Sequence, residues 1–416
     1  MSYIRRFLRW SVLFALVSTG AAYAQEYTKP RVRAITGFVR LDRADLVREV
    51  NDTLAVLRQA KEELVKQGYE VQTVRIVTQP LPELVSRLSD ADALAFLKSL
   101  DELAARLDFS ANVGPAMLRD ADDPHMMWLL AEALAVLPHL QASAIIAGED
   151  GIHWKVIHEA AGLVRYVTDH GAYAEGSANL NFTATAMVKP YGPFFPGAYH
   201  VGSGRQFSIG FEGANVVQEV FSHTHGEFGA SVAELTRQLT LHAKVAEAVG
   251  QKVAAANGWS FVGVDPTPAP RPGVSIGVAM EKYSGAAFGS SGTMTAALVI
   301  TTAVKAVPVR QIGYSGLMMP VMEDPELAMR WSQGAVNIDN LLAYSAVCGT
   351  GLDTIPLPGD VSAAQLARIF GDVASLAWKW NKPLSARLVP FRGLKAGDRT
   401  HLVGQGLANA TIQKAP

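Results

Sequence analysis

One cysteine in 416 residues is the sharpest shortage in this chain. A single thiol excludes an internal disulfide, so the fold must be held by its apolar core and hydrogen bonds. Charge is scarce too: Asp, Glu, Lys and Arg make up 18% of the residues, and the net charge is −1. No basic stripe stands outside the first ten residues, which removes the electrostatic footprint of a nucleic-acid-binding protein. Internal repeats and low-complexity blocks are absent. Beyond the N-terminus no apolar stretch reaches membrane-spanning length without interruption. What the chain does have is 49% hydrophobic residues, ample for one large domain or two closely packed ones.

The first residues read as an export signal. Arg5, Arg6 and Arg9 form a positive region, Ser11 to Gly20 an apolar core too short to span a bilayer, and Ala22-Tyr23-Ala24 a small-residue cleavage site. Cleavage is expected before Gln25, giving a signal peptide over 1–24, a single domain over 25–416 and a periplasmic or secreted protein with no stable membrane span. An uncleaved anchor is the alternative. Arg5-Arg6-Phe7-Leu8 only loosely fits a twin-arginine signal, so the sequence does not fix the export route.

Along the mature chain, hydrophobic periodicity switches repeatedly between two and 3.6 residues. Val32 to Arg40 alternates as a strand, and Asp42 is expected to cap a helix running to Gln67, stopped by Gly68. Val71 to Val77 is the next strand. Helices follow over 92–107, 123–137, 151–168, 230–256, 290–305, 324–332, 338–347 and 362–379. Strands are expected at 142–147, 181–188, 207–211, 261–264 and 385–390. Pro266 to Pro272 reads as a rigid loop rather than a linker. The alternation predicts an α/β domain, with helices outside a largely parallel sheet or barrel.

Several stretches together resemble domain of unknown function 711, also called uncharacterised protein family 0210. They are Ala34-Ile35-Thr36, Pro193 to His200 (PFFPGAYH), Ile209 to Glu212, Gly313 to Val321 (GYSGLMMPV), Val347 to Asp353 (VCGTGLD) and Lys382 to Leu388 (KPLSARL). The resemblance covers nearly the whole mature chain. It implies a fold similar to pyruvate formate-lyase and the glycyl radical enzymes: a ten-stranded α/β barrel of two parallel half-barrels with helices outside. It establishes no activity. The glycyl-radical motif is missing, since Arg392-Gly393-Leu394 does not fit it, so radical chemistry is not expected.

The candidate site residues come mostly from these stretches. Cys348, in the Gly349-Thr350-Gly351 turn, has the chemistry of a nucleophile or ligand if a cation or free N–H groups favour its thiolate; otherwise it is a buried hydrophobe. His200, stiffened by Phe194, Phe195 and neighbouring prolines, is a candidate general base. Glu212, ending an apolar strand, needs a partner if buried, and Asp353 could orient one. Lys382 and Arg387 are candidates for holding a substrate carboxylate or phosphate, with Gly349 and Gly351 offering backbone N–H groups. Glu323-Asp324-Pro325 reads as a helix start, and Asp265 stays ambiguous. His223, His225 and Glu227 would share a face and suit zinc only on a strand, whereas Gly226 points to a loop. Gly285 to Gly292 is an anion seat at a helix start, without a nucleotide fingerprint.

Two functions fit these residues. One is a non-radical enzyme acting on a small carboxylated or amide-like metabolite. The other is a periplasmic small-ligand-binding protein without turnover. No cofactor is specified; a divalent metal ion is compatible, and so is a homo-oligomer. Cys348 and His200 sharing one pocket would favour the enzyme, and cavity-facing charges without that pair would favour binding.

Overall fold

β-branched and apolar residues placed at alternate positions give the first strand, β1 (Arg31–Phe38), one face for the outer helices and one for the interior. In the computed structural model, which describes residues 28–195, 197–224, 226–402 and 406–416, nine further strands follow. They are β2 (Val71–Pro80), β3 (Ser110–Gly114), β4 (Leu140–Gly148), β5 (Gly151–Ile152), β6 (Phe182–Ala186), β7 (Gln206–Glu212), β8 (Ser260–Asp265), β9 (Gly351–Pro358) and β10 (Leu384–Phe391). The expected signal peptide, Pro196 and His225 lie outside the described residues.

The strands join in the order β8-β7-β1-β2-β3-β4-β6-β10-β9, with β5 attached to β4. Five strands (β8, β7, β1, β2, β3) make one half and five (β4, β5, β6, β10, β9) the other, joined by parallel pairing of β3 with β4. The halves are mixed rather than wholly parallel. β1 runs antiparallel to β7 and β10 antiparallel to β6, while β1·β2, β2·β3, β7·β8, β4·β6 and β9·β10 are parallel. The two end strands are joined through a segment rather than by direct pairing. Gln311 bridges Val264 of β8, and Pro320 bridges Asp353 of β9.

The helices run where the 3.6-residue pattern puts them. Leu46–Lys66 buries Val50, Leu54, Leu57 and Leu64 on one stripe. Its start differs from expectation: Asp42 accepts the Ala44 N–H in a turn, and Asp45 stands at the cap. The helix Phe228–Asn257 ends as expected at Gly258, in the left-handed conformation at φ 67°. The helices Ala214–Thr224 and Ile276–Ser284, like the short turns of helix Leu81–Leu84 and Ala174–Asn181, are not expected from the sequence. No helix among the described residues is long and apolar enough to cross a membrane.

Two buried carboxylates fix the loops that enter the sheet. Asp265, at the end of β8, accepts from the N–H groups of Thr267, Tyr314 and Ser315 and from the Thr267 hydroxyl, and so pins the 311–320 segment. Asp324 accepts from the backbone of Ile276 and Gly277 and of Glu326 and Leu327, which joins two helix starts at one carboxylate.

Candidate functional site

The start of β1 carries two arginines. A register shift between Val32 and Ala34 interrupts its pairing with β7 there, and both guanidiniums reach Glu212 at the far end of β7. Arg33 Nη1 donates to Glu212 Oε1 at 2.7 Å, and Arg31 Nε lies 3.1 Å from Oε2. Arg33 Nη2 donates to Glu323 Oε2 at 2.9 Å. The other oxygen of Glu323 accepts from Arg387 Nη2 of β10 at 2.5 Å, and Arg387 Nε donates to Asp353 Oδ1 of β9 at 2.6 Å. Arginines and carboxylates thus alternate in one file from the first half of the sheet to the second. Glu323 holds its place in the file because the next residue, Asp324, is tied into the two helix starts.

Burial of this file is costly, and the alternation is what makes it tolerable. Glu212 is fully buried, and Asp353 and Arg387 nearly so. Burial alone would lower the Arg387 guanidinium, but Asp353 and Glu323 outweigh it and hold the group well above its ordinary value. Burial likewise opposes ionisation of Glu323. Arg387 and then Arg33 overcome that, keeping it a carboxylate below the usual range. Arg75 of β2 is different. Burial and then Arg33 pull it down to about 9, so it stays charged at neutral pH with no ion pair to a carboxylate among the described residues.

Beside the file is a cavity of about 250 Å³, walled by Arg33, Glu323, Arg387, Arg271, Gln72 and Gln141 among others. It sits where β1, β2, β4 and β6 begin and β7 and β8 end. Pro270 and Pro272 of the rigid loop hold Arg271 at its wall. The lining is polar and cationic, suited to a small anion held by guanidinium forks.

Of the residues singled out in the sequence, Glu212, Asp353 and Arg387 come together here. Cys348 and His200 do not join them, and neither lines the cavity. His200 is fully buried near Val39 and Gln206, with its ring 5.9 Å from Tyr191. That is the opposite end of β1 from Arg33, roughly 17 Å along the strand. Its two ring nitrogens have no hydrogen-bond partner among the described residues, and burial pushes the imidazole down.

Cys348 is fully buried, and burial raises its thiol against the opposing effect of Lys382. Lys382 is spent on carbonyls: its Nζ donates to Ser345 at 2.7 Å, to Ala346 and to Cys348, completing the end of the helix Ile338–Ser345. Gly349 and Gly351 likewise serve close packing. A Cβ on Gly349 would come within 2.6 Å of the Gly316 Cα, and one on Gly351 within 2.3 Å of the Ser385 carbonyl oxygen. These glycines let backbones cross, which a sequence shows only as glycine.

Two further candidate stretches lie at helix ends. His223 sits at the end of a helix rather than on a strand, and Glu227 precedes the helix Phe228–Asn257. In the Gly285–Gly292 stretch, the N–H groups of Phe288 and Gly289 are taken by Glu281 and Thr293. Among the described residues no group of three or more His, Cys, Asp or Glu is placed to hold a metal ion. The residues not foreseen as part of the site are Arg33, Arg75, Arg271 and, in this role, Glu323. The available signal was an arginine at an inward position of a β-branched strand, as in Val74-Arg75-Ile76.

Comparison with known proteins agrees with the motifs. A UPF0210 protein of Pyrobaculum aerophilum is 32% identical over 383 residues, covering 85% of this chain and 84% of its own length. One of Listeria monocytogenes is 28% identical over 352 residues, covering 81% and 78%. Among solved structures, the anaerobic ribonucleotide reductase of Thermotoga maritima, in complex with dATP and CTP, is loosely similar. Its TM-score is 0.37 at 8% identity, over 86% of this chain and 75% of that one. The family described as Uncharacterised ACR (DUF711) matches residues 26–403, and the chain belongs to it.

Proposed function

We propose that the protein binds a small carboxylated metabolite in the cavity between Arg33, Arg271 and Arg387. The observation that carries this reading is the position of Glu323. It shares its two oxygens between Arg33 and Arg387 at the cavity wall. A ligand carboxylate has the same charge and geometry as Glu323, so it meets two guanidinium forks already oriented for it. Neither the thiol nor the imidazole singled out in the sequence reaches this wall, which favours binding over nucleophilic chemistry.

Turnover by a non-radical enzyme is the second reading, and one observation favours it. Glu323 and Asp353 share Arg387, so a ligand that takes over a guanidinium strips Glu323 of part of its support. The carboxylate then rises towards the range of a useful general base, beside the bound molecule. Among the described residues no cluster of three or more His, Cys, Asp or Glu speaks for metal assistance. Export of the mature chain from Gln25 belongs to the same proposal, and the intact mass of material from the periplasmic fraction tests it: a species retaining Met1 would refute it.

The binding test is calorimetry and thermal shift with a panel of small carboxylates and their amides. Carboxylates should raise the melting temperature and the amides should not. If no member of the panel binds, the reading fails. Following bound ligand by NMR over hours then separates the two functions, since only an enzyme changes its spectrum.

A further inference from the structure

Of the three carboxylates in the central file, Glu323 alone lines the cavity, together with Arg33 and Arg387. Its side chain keeps 16% exposure, against 0% for Glu212 and 5% for Asp353. Its two oxygens are held by equivalent nitrogens: Arg33 Nη2 donates to one at 2.9 Å and Arg387 Nη2 to the other at 2.5 Å. Each arginine also has a carboxylate that does not involve Glu323. Arg33 Nη1 donates to Glu212, and Arg387 Nε donates to Asp353. Both guanidiniums therefore stay oriented when Glu323 lets go. What is freed is a pair of donors at the cavity wall, spaced to fit one carboxylate.

The backbone around Glu323 is held on both sides. The Val321 N–H donates to the Asp353 carbonyl at 3.0 Å, the Met322 N–H to the Thr354 hydroxyl oxygen at 3.1 Å, and the Ala408 N–H to the Met322 carbonyl at 2.7 Å. On the other side Asp324 caps the helix Pro325–Ser332. Only the Glu323 side chain is left to move, and it regains rotamer freedom when it is released.

We infer that Glu323 is a resident competitor for the site. The ligand carboxylate binds by exchange with it, one oxygen to Arg33 Nη2 and one to Arg387 Nη2, and the Glu323 side chain swings away on its fixed backbone. The inference rests on the carboxylate-binding reading and adds to it the binding mode and the control on affinity. A tethered carboxylate competes at high effective concentration. An anion that reaches only one arginine cannot displace it, whereas a carboxylate that bridges both can.

The experiment is calorimetry at pH 7 on the full mature chain and two variants, with butyrate as ligand and butyramide as its neutral control. Glu323→Gln removes the competing charge and should bind butyrate roughly 10- to 100-fold tighter than the parent. Glu323→Asp keeps the charge, but on a fixed backbone it is one methylene too short to bridge both arginines. It should bind butyrate roughly tenfold tighter, the value of one charged hydrogen bond lost to the competitor. Butyramide should bind none of the three proteins.

Tighter binding by Glu323→Gln alone, with Glu323→Asp equal to the parent, would reflect only the lost charge and would overturn the inference. Weaker binding by both variants would make Glu323 a support of the wall, and would equally overturn it. Either result leaves the carboxylate site standing, whereas no butyrate binding by any of the three proteins would count against both. Should Glu323→Gln fail to fold, the comparison of Glu323→Asp with the parent decides alone.

Discussion

Replacing Asp324 by alanine should cost the fold more than any other single change near the site. Its carboxylate accepts from the Ser275 hydroxyl at 2.6 Å, and from the N–H groups of Ile276 at 2.7 Å, Gly277 at 3.2 Å, Glu326 at 3.0 Å and Leu327 at 3.3 Å. All five donors lose their acceptor in Asp324→Ala, in a place water does not reach. At about 1 kcal/mol or more each, and with neighbours that are not additive, the loss is on the order of 3–5 kcal/mol. Unfolding entropy near 2.1 cal/mol/K per residue makes this roughly 4 °C in melting temperature for a chain of this size. Asp324→Asn keeps one acceptor oxygen and should fall about halfway. Calorimetric melting of the three proteins at one pH decides the matter. An alanine variant melting within 1 °C of the parent would mean that the two helix starts do not depend on the shared cap.

Two further outcomes are expected. His242 Nδ1 shares a 2.8 Å hydrogen bond with the Tyr69 hydroxyl, and burial and then Lys29 lower its pKa to about 4. The fold therefore favours the neutral ring, and stability is lost as pH falls from the unfolded value near 6.5 towards 4, by roughly 3 kcal/mol in all. His242→Gln should flatten the drop in melting temperature between pH 7 and pH 4.5, and an unchanged drop would refute the assignment. Cys348 should resist thiol reagents at pH 8 until the protein unfolds. Cys348→Ser should lose on the order of 1–3 kcal/mol by burying a hydroxyl, and Lys382→Met a smaller amount by freeing carbonyls. Both variants should bind carboxylates as the parent does; loss of binding without loss of melting temperature would return these residues to the site.

The scaffold was legible because its signals are local. Leu46–Lys66, Asp90–Leu107 and Phe228–Asn257 carry long amphipathic patterns with clear stops. β1, β2 and β10 are strongly alternating or apolar. Elements with weak local signals were missed. β3 is five residues, Ser110 to Gly114, with buried polar Asn112 at its middle, and β9 holds two prolines, Pro356 and Pro358. The helix Ala214–Thr224 follows β7 after a single glycine, so its start is hidden in strand-like sequence. Antiparallel joints at β1·β7 and β6·β10 depend on which strands meet across 170 and 200 residues, and no periodicity records that.

The site was legible only by half, and the reason is physical. Glu212, Asp353 and Arg387 stand in apolar strands, where a charge must find a partner, so burial cost marks them in the sequence. What the sequence does not mark is which partners they find. Arg33 reaches Glu212 only through the register shift at the start of β1, and Glu323 reaches Arg33 and Arg387 only because Asp324 anchors the turn beside it. The same file explains why so many charges sit inside a core this apolar. Hydrophobic groups of like size would hold the two halves of the sheet as well or better. Only ionised groups can be repartnered by an anion, and Glu323 links Arg33 of the first half to Arg387 of the second. A ligand that displaces Glu323 from either arginine therefore acts on a charged tie that crosses between the halves, which puts binding and the geometry of the sheet on the same residue.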